Sequence, residues 1–263
     1  MGKNHFINEW LEVYEEKHYS DLSIINFKEK DNKREKIRNK LIETIISYYI
    51  KDHVINSYLS NDDKFYRLEN YINGKLPHMG KTRKGDFGEI IGTEHIKQEY
   101  GYCFPVIKLR YKKNNETSEH GEDILGFIIE NNKIVSICIA ESKIRSKYSK
   151  KPINDAHDQL KSSYIPVPKV LNFIFDILDE RNDEFASEVE NLFEPKNFMA
   201  LKKDNIIFTI FGSLPSKNLK VDNTKNELEN LKIITIFLPN ISDFIDEIYN
   251  ECAVYYNESE GNS

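Results

Sequence analysis

Asp123, Glu141 and Lys143 are the residues whose types and spacing best suit chemistry. Glu141 and Lys143 stand two apart at the end of an apolar run, so in an extended chain both side chains leave the same face. Asp123 opens the preceding apolar run. The two runs, residues 124–129 and 134–140, flank Glu130-Asn131-Asn132-Lys133, which reads as a β-hairpin with a tight Asn-rich turn. A turn made only of Asn131-Asn132 pairs Asp123 with Ala140 and puts the two carboxylates on opposite faces. A three-residue loop or a single bulge shifts the pairing by one and sets Asp123 opposite Glu141. Joint chemistry requires the second arrangement.

Two carboxylates on one face repel unless a cation lies between them or one takes a proton. Hard oxygen donors without neighbouring Cys or His favour Mg²⁺ or Mn²⁺ over zinc. Such an ion binds a phosphate oxygen and lowers the pKa of a coordinated water, while a lysine on the same face offsets charge on the phosphate. The set therefore suits phosphodiester hydrolysis, with DNA as the expected partner. The basic run Arg145, Lys147, Lys150 and Lys151 follows directly and can neutralise a DNA backbone, with Lys108, Arg110 and Lys112 extending that surface. A charge run more often simply solubilises a face, and it is nearness to the carboxylates that favours the nucleic-acid reading.

The elements that must position these groups follow from periodicity. The first eighty residues read as helical: Phe6, Ile7, Trp10, Leu11 and Tyr14 over residues 6–18, Ile37, Leu41, Ile45, Ile46 and Tyr49 over 31–55, and a further helix entered at 60–63 and ended by Asn73-Gly74. Residues 85–100 read as a helix with Gly101 just past its end. Residues 105–112 alternate as a half-buried strand. Helices are predicted over 152–164, 169–192 and 242–256, and strands over 206–211 and 231–238. The expected class is α/β, a mixed sheet flanked by helices. A helical region over 1–80 is expected to pack on a core over 81–256, ahead of a flexible tail at 257–263.

The fuller wording adds a resemblance. Asp123 with Glu141-Ser142-Lys143 on a hairpin resembles the signature of PD-(D/E)xK nucleases. Lys84-Gly85-Asp86-Phe87-Gly88-Glu89, His120-Gly121-Glu122-Asp123-Ile124-Leu125-Gly126, Phe208-Thr209-Ile210-Phe211-Gly212 and Ile236-Phe237-Leu238-Pro239 are similar to the HamA family, nuclease subunits of the Hachiman anti-phage system. The likeness covers about residues 80–256. It implies a nuclease-like core, Glu89 as a third acid and metal ligand from an upstream helix, and a partner helicase, HamB, that restrains the nuclease. Many members of the superfamily carry Gln-x-x-x-Tyr after the ExK strand. Here Gln159 holds the first place, as a helper near the metal-bound water or the DNA, but Tyr164 falls one step late. Glu89 has an ordinary reading beside this one, a solvated helical glutamate.

Composition excludes several classes. With 263 residues, 39% hydrophobic content and a net charge of −6, the chain is globular and does not coat nucleic acid through bulk charge. No apolar run is long enough to span a bilayer and the start lacks a secretory pattern, so a cytoplasmic protein without membrane contact is expected. Cys103, Cys138 and Cys252 are scattered and form no CxxC pair. Gly80-Lys81-Thr82 is no P-loop, since the glycine at 74 is misplaced and no strand precedes it. Glu122, Asp86 and Glu94 read as bystanders, and His120 as an exposed loop histidine. Three rivals stay in view: a silent subunit binding nucleic acid or helicase, a stand-alone restriction-type endonuclease, and a scaffold dependent on the N-terminal region.

Overall fold

The computed structural model describes residues 6–60, 65–117, 121–164, 167–214 and 227–258. Phe6, Ile7 and Trp10 bury one face of the short α1 (Phe6–Trp10), after which the chain straightens into β1 (Leu11–His18) and returns antiparallel as β2 (Leu22–Glu29). Helices α2 (Arg34–Tyr49), α3 (Asp52–Leu59), α4 (Phe65–Asn73) and α5 (Gly80–Tyr100) follow. The hairpin is β3 (Ile124–Glu130) and β4 (Lys133–Arg145). Beyond it come α6 (Lys151–Ser162), α7 (Val170–Glu180), α8 (Ala186–Glu190), α9 (Pro195–Ala200), β5 (Lys202–Phe211), β6 (Leu231–Phe237) and α10 (Ile241–Glu258).

Among the described residues the six strands join one sheet in the order β1-β2-β6-β5-β4-β3. Strands β2, β6, β5 and β4 run parallel, and an antiparallel strand closes each edge. Parallel strands covered on both faces carry near-continuous apolar runs, and alternate residues serve two cores. Cys138, Ala140, Ile144, Ile206, Phe208 and Ile210 pack with α2, α5 and α10, whereas Ile137, Ile139 and Ile207 pack with α6, α7, α8 and α9. The result is a mixed α/β protein whose sheet lies between two helical layers, as expected.

Four expectations are corrected. Residues 31–55 hold two helices, α2 and the start of α3, parted by extended Ile50 and Lys51. Residues 6–18 are not one helix: only the first turn is, and β1 is an edge strand whose Glu12, Glu15 and Glu16 stay in water, with buried Leu11 and exposed Tyr14 falling at helical spacing by coincidence. With the adjoining β2, which no helical or alternating period marks, the first eighty residues lend two strands to the main sheet. Residues 105–112 form no strand in the ladder but a single 3₁₀ turn, Lys108–Tyr111, since their alternating cations turn inward to partners rather than outward to water. Residues 169–192 break into α7 and α8, with Asn182 at φ 50 reversing the chain between them. The predicted entry at 61–63, His120 and the tail beyond residue 258 lie outside the described residues.

Candidate active site

Hairpin geometry decides where the acids stand. The turn holds just Asn131 and Asn132, with φ of 50 and 60, the left-handed pair that the tightest hairpin turn requires and that Asn tolerates. Continued regularly, this register would pair Asp123 with Ala140. A bulge between Ile128 and Ile129 instead opposes Ile128 to Ser136, leaves Val135 unpaired, and carries Ile124 to Ala140. One further step sets Asp123 beside Glu141. The bulge demanded by the chemistry is present.

Asp123 and Glu141 lie within hydrogen-bonding reach of each other. The Oδ2 of Asp123 also accepts the backbone N–H of Ser142 at 2.9 Å, which fixes its carboxylate. Glu141 is buried, and burial, then the Asp123 charge, raises its pKa against the opposing pull of Lys143. Lys143 donates to Oε1 of Glu141. Glu89 on α5 is largely buried, 3.8 Å from Nζ of Lys108, and burial followed by the nearby Asp123 raises its pKa to about 8. Among the described residues no group of three or more His, Cys, Asp or Glu is arranged to hold a metal ion, so the oxygen donors converging here are the Asp123–Glu141 pair.

The other candidates are placed less centrally. Gln159 is exposed on α6, whose buried stripe is Pro152, Ile153, Ala156, His157 and Leu160, and no side-chain hydrogen bond ties it to the carboxylates. Tyr164 donates to Oδ1 of Asn205 near the start of β5. Arg145, Lys147 and Lys151 are exposed and Lys150 is half-buried, along the loop from β4 into α6. The proposed extension through Lys108, Arg110 and Lys112 is not available to DNA. Lys108 donates to the Glu122 carbonyl at 2.8 Å, Arg110 to the Ser47 carbonyl at 2.9 Å, and Lys112 forms a buried ion pair with Asp86 at 2.7 Å.

Those inward cations reveal a supporting layer that spacing alone does not disclose. Glu122, read as a bystander, is buried, and its carboxylate accepts the backbone N–H of Val170 at 3.1 Å while its carbonyl takes Lys108. The residue just before Asp123 is thus held from two sides. Asp86 accepts from Tyr49 at 2.5 Å and from Lys112, and burial still leaves its pKa raised. Glu94 accepts from Tyr48 at 3.0 Å. The one available signal was the density of charge around residues 84–94 and 108–112, more than two solvated faces need.

Fold and site together define a mixed α/β protein with a carboxylate pair and a lysine at the outer end of a hairpin strand. A family model described as HamA matches residues 4–252. The chain is also 28% identical over 203 residues to the Hachiman protein HamA of Bacillus cereus, across 72% of this chain and 70% of that protein. It belongs to the HamA family. Among the described residues no helix is long and apolar enough to cross a membrane.

Proposed function

We propose that this chain is the effector nuclease of a Hachiman defence system, a Mg²⁺- or Mn²⁺-dependent DNA endonuclease of the cytoplasm, restrained by a partner helicase. The observation that carries the reading is the bulged hairpin, which brings Asp123 and Glu141 side by side with Lys143 on the same strand. A hard divalent cation fits this donor set. Two crowded carboxylates need a counter-charge, and such an ion keeps several waters and takes one or two carboxylates together with substrate phosphate. When bound, it supplies Lewis-acid stabilisation of the phosphate and a more acidic water.

The chain's own residues do the rest. Asp123, fixed by the Ser142 N–H, and Glu141 hold the cation. Lys143 faces the same space and, once released from Glu141, donates a charged hydrogen bond to a phosphate oxygen, where it matters most as negative charge develops. Glu89 on α5 lines the same cleft as Asp123 and stays the third acid, a further ligand for the cation, on the superfamily likeness alone. The helicase partner rests on family membership, and Gln159 stays a helper on the superfamily likeness alone.

Cleavage of supercoiled plasmid with Mg²⁺, with Mn²⁺ and with EDTA, beside Glu141→Ala and Lys143→Ala, tests the proposal. Metal-dependent cutting lost in both variants is expected. Cutting that survives in a clean Glu141→Ala preparation sinks the assignment. If the isolated chain does not cut, the helicase is added, and no cutting in its presence leaves a binding subunit instead.

A further inference from the structure

Strand β4 outruns its partner. The β3–β4 ladder ends at Ile124 and Ala140, so residues 141–145 have β5 on one side and, among the described residues, no strand on the other. Along that open edge lies a cleft of about 580 Å³, with Lys143 and Arg145 on one wall, the first turns of α5 on the other, and Asp123 inside. On α5, Lys81, Lys84, Gly85 and Glu89 follow one another at helical spacing down the cleft wall. Between the lysines Thr82 also lines the cleft, whereas Arg83 points elsewhere, bound to the Pro77 carbonyl, to Asn250 and to Asp246, with its guanidinium over the Tyr249 ring.

Charge in this cleft is divided by partnership. Of its acids, Asp86 is neutralised by Lys112, and Glu116 accepts the backbone N–H groups of His78 at 2.5 Å and Met79 at 3.2 Å. That carboxylate is thus held by the backbone just ahead of α5. Of its cations, Lys81 and Lys84 make no hydrogen bond or ion pair among the described residues, and Arg145 donates to the neighbouring Ile144 carbonyl and to no carboxylate. Two free ammonium groups and a guanidinium thus line the approach to an acid pair.

We infer that this cleft holds the phosphodiester backbone of DNA, with Lys81 and Lys84 on one wall and Arg145 on the other binding phosphates that flank the one at Asp123 and Glu141. The inference rests on the nuclease reading and adds residues to it, because Gly80-Lys81-Thr82 becomes the rim of a substrate groove. Cations on both walls suit successive phosphates along one strand better than the single cradle of a nucleotide site. Gly85 leaves the wall bare: a Cβ there meets nothing within 4 Å, so a side chain can be added without disturbing the packing.

That vacancy gives the test. A short fluorescent DNA duplex is titrated by anisotropy into the whole chain in EDTA, which prevents turnover, across a range of salt. Lys81→Gln with Lys84→Gln lowers the slope of log K against log salt by about 2. Gly85→Glu weakens binding by about tenfold or more and Gly85→Lys tightens it, while both raise the thermal midpoint because glycine is a poor helix residue. Unchanged affinity in Gly85→Glu and in the double lysine variant, with loss on replacing Lys147, Lys150 and Lys151, overturns the cleft and leaves the nuclease reading standing. Absence of DNA binding by the unmodified chain at low salt overturns both, and preferential capture of an RNA competitor overturns the DNA assignment.

Discussion

Replacing Gly88 by alanine tests how tightly α5 is seated on the hairpin strand that carries Glu141. A Cβ at position 88 would fall inside van der Waals contact of the Ser142 Oγ, with Ile144 Cγ1 and Cδ1 at 3.3 and 3.4 Å. Overpacking of this kind costs about 1–3 kcal/mol. Alanine in a helix interior returns roughly 1 kcal/mol relative to glycine, so Gly88→Ala alone should destabilise by about 0–2 kcal/mol. Ser142 offers the means of relief. Its Oγ is buried with no hydrogen-bond partner, so Ser142→Ala forfeits no bond and is expected to be neutral or stabilising by about 1 kcal/mol. With the hydroxyl gone, alanine at 88 fits, and the double variant should exceed the sum of the singles by about 1–3 kcal/mol in favour of stability. Urea denaturation of all four proteins, followed by circular dichroism, measures that coupling. Additivity to within about 0.5 kcal/mol would falsify the close approach of helix and strand.

Other outcomes follow from the same geometry. His95 is buried among Phe27, Tyr100 and Phe208, and burial lowers its pKa to about 4. The unfolded chain therefore binds a proton, below about pH 6.5, that the native state does not, and stability falls as pH drops from there to 4. Roughly 2 kcal/mol is lost by pH 5, and His95→Phe should flatten that limb in urea titrations at pH 7.5 and 5. Lys112→Met strands the Asp86 carboxylate, whose pair is only 4–6% exposed, at a cost of about 3–5 kcal/mol. Adding Asp86→Asn should recover most of it, and a double variant as unstable as Lys112→Met contradicts the pairing. Deleting Val135 should be tolerated, since Ile128 opposite Ser136 and Ile129 opposite Ile134 then become consecutive pairs and Asp123 still meets Glu141. Loss of plasmid cleavage in a deletion variant that stays folded contradicts this register.

How far the sequence discloses the fold differs by element. The hairpin, α5 and α6 are legible because their apolar residues cluster between sharp boundary signals: the Asn pair in the turn, Gly101 at φ 72 after α5, and Pro152 in the first turn of α6. The acid pair is legible for a different reason, since only one of two registers could bring the carboxylates together. Strands β1 and β2 escape because an edge strand with both faces in water has no burial period, and β2 finds its partner in β6 some two hundred residues on. Lys108 and Lys112 mislead because alternation of charge is read as exposure, whereas here the partners Glu122, Glu89 and Asp86 lie inside.

The pairing of β2 with β6 has a consequence for synthesis on the ribosome. Strand β2 presents Ile24, Ile25 and Phe27 early, yet its parallel partner, Leu231–Phe237, emerges only after nearly the whole chain has been made. Until then its inner edge lacks the strand that covers it, as does the edge of β5 that β6 will take. The β3–β4 hairpin, by contrast, is local and can form while elongation continues. The candidate catalytic strand is thus shaped long before the sheet around it closes, and completion of the protein waits on a contact between its second strand and its last.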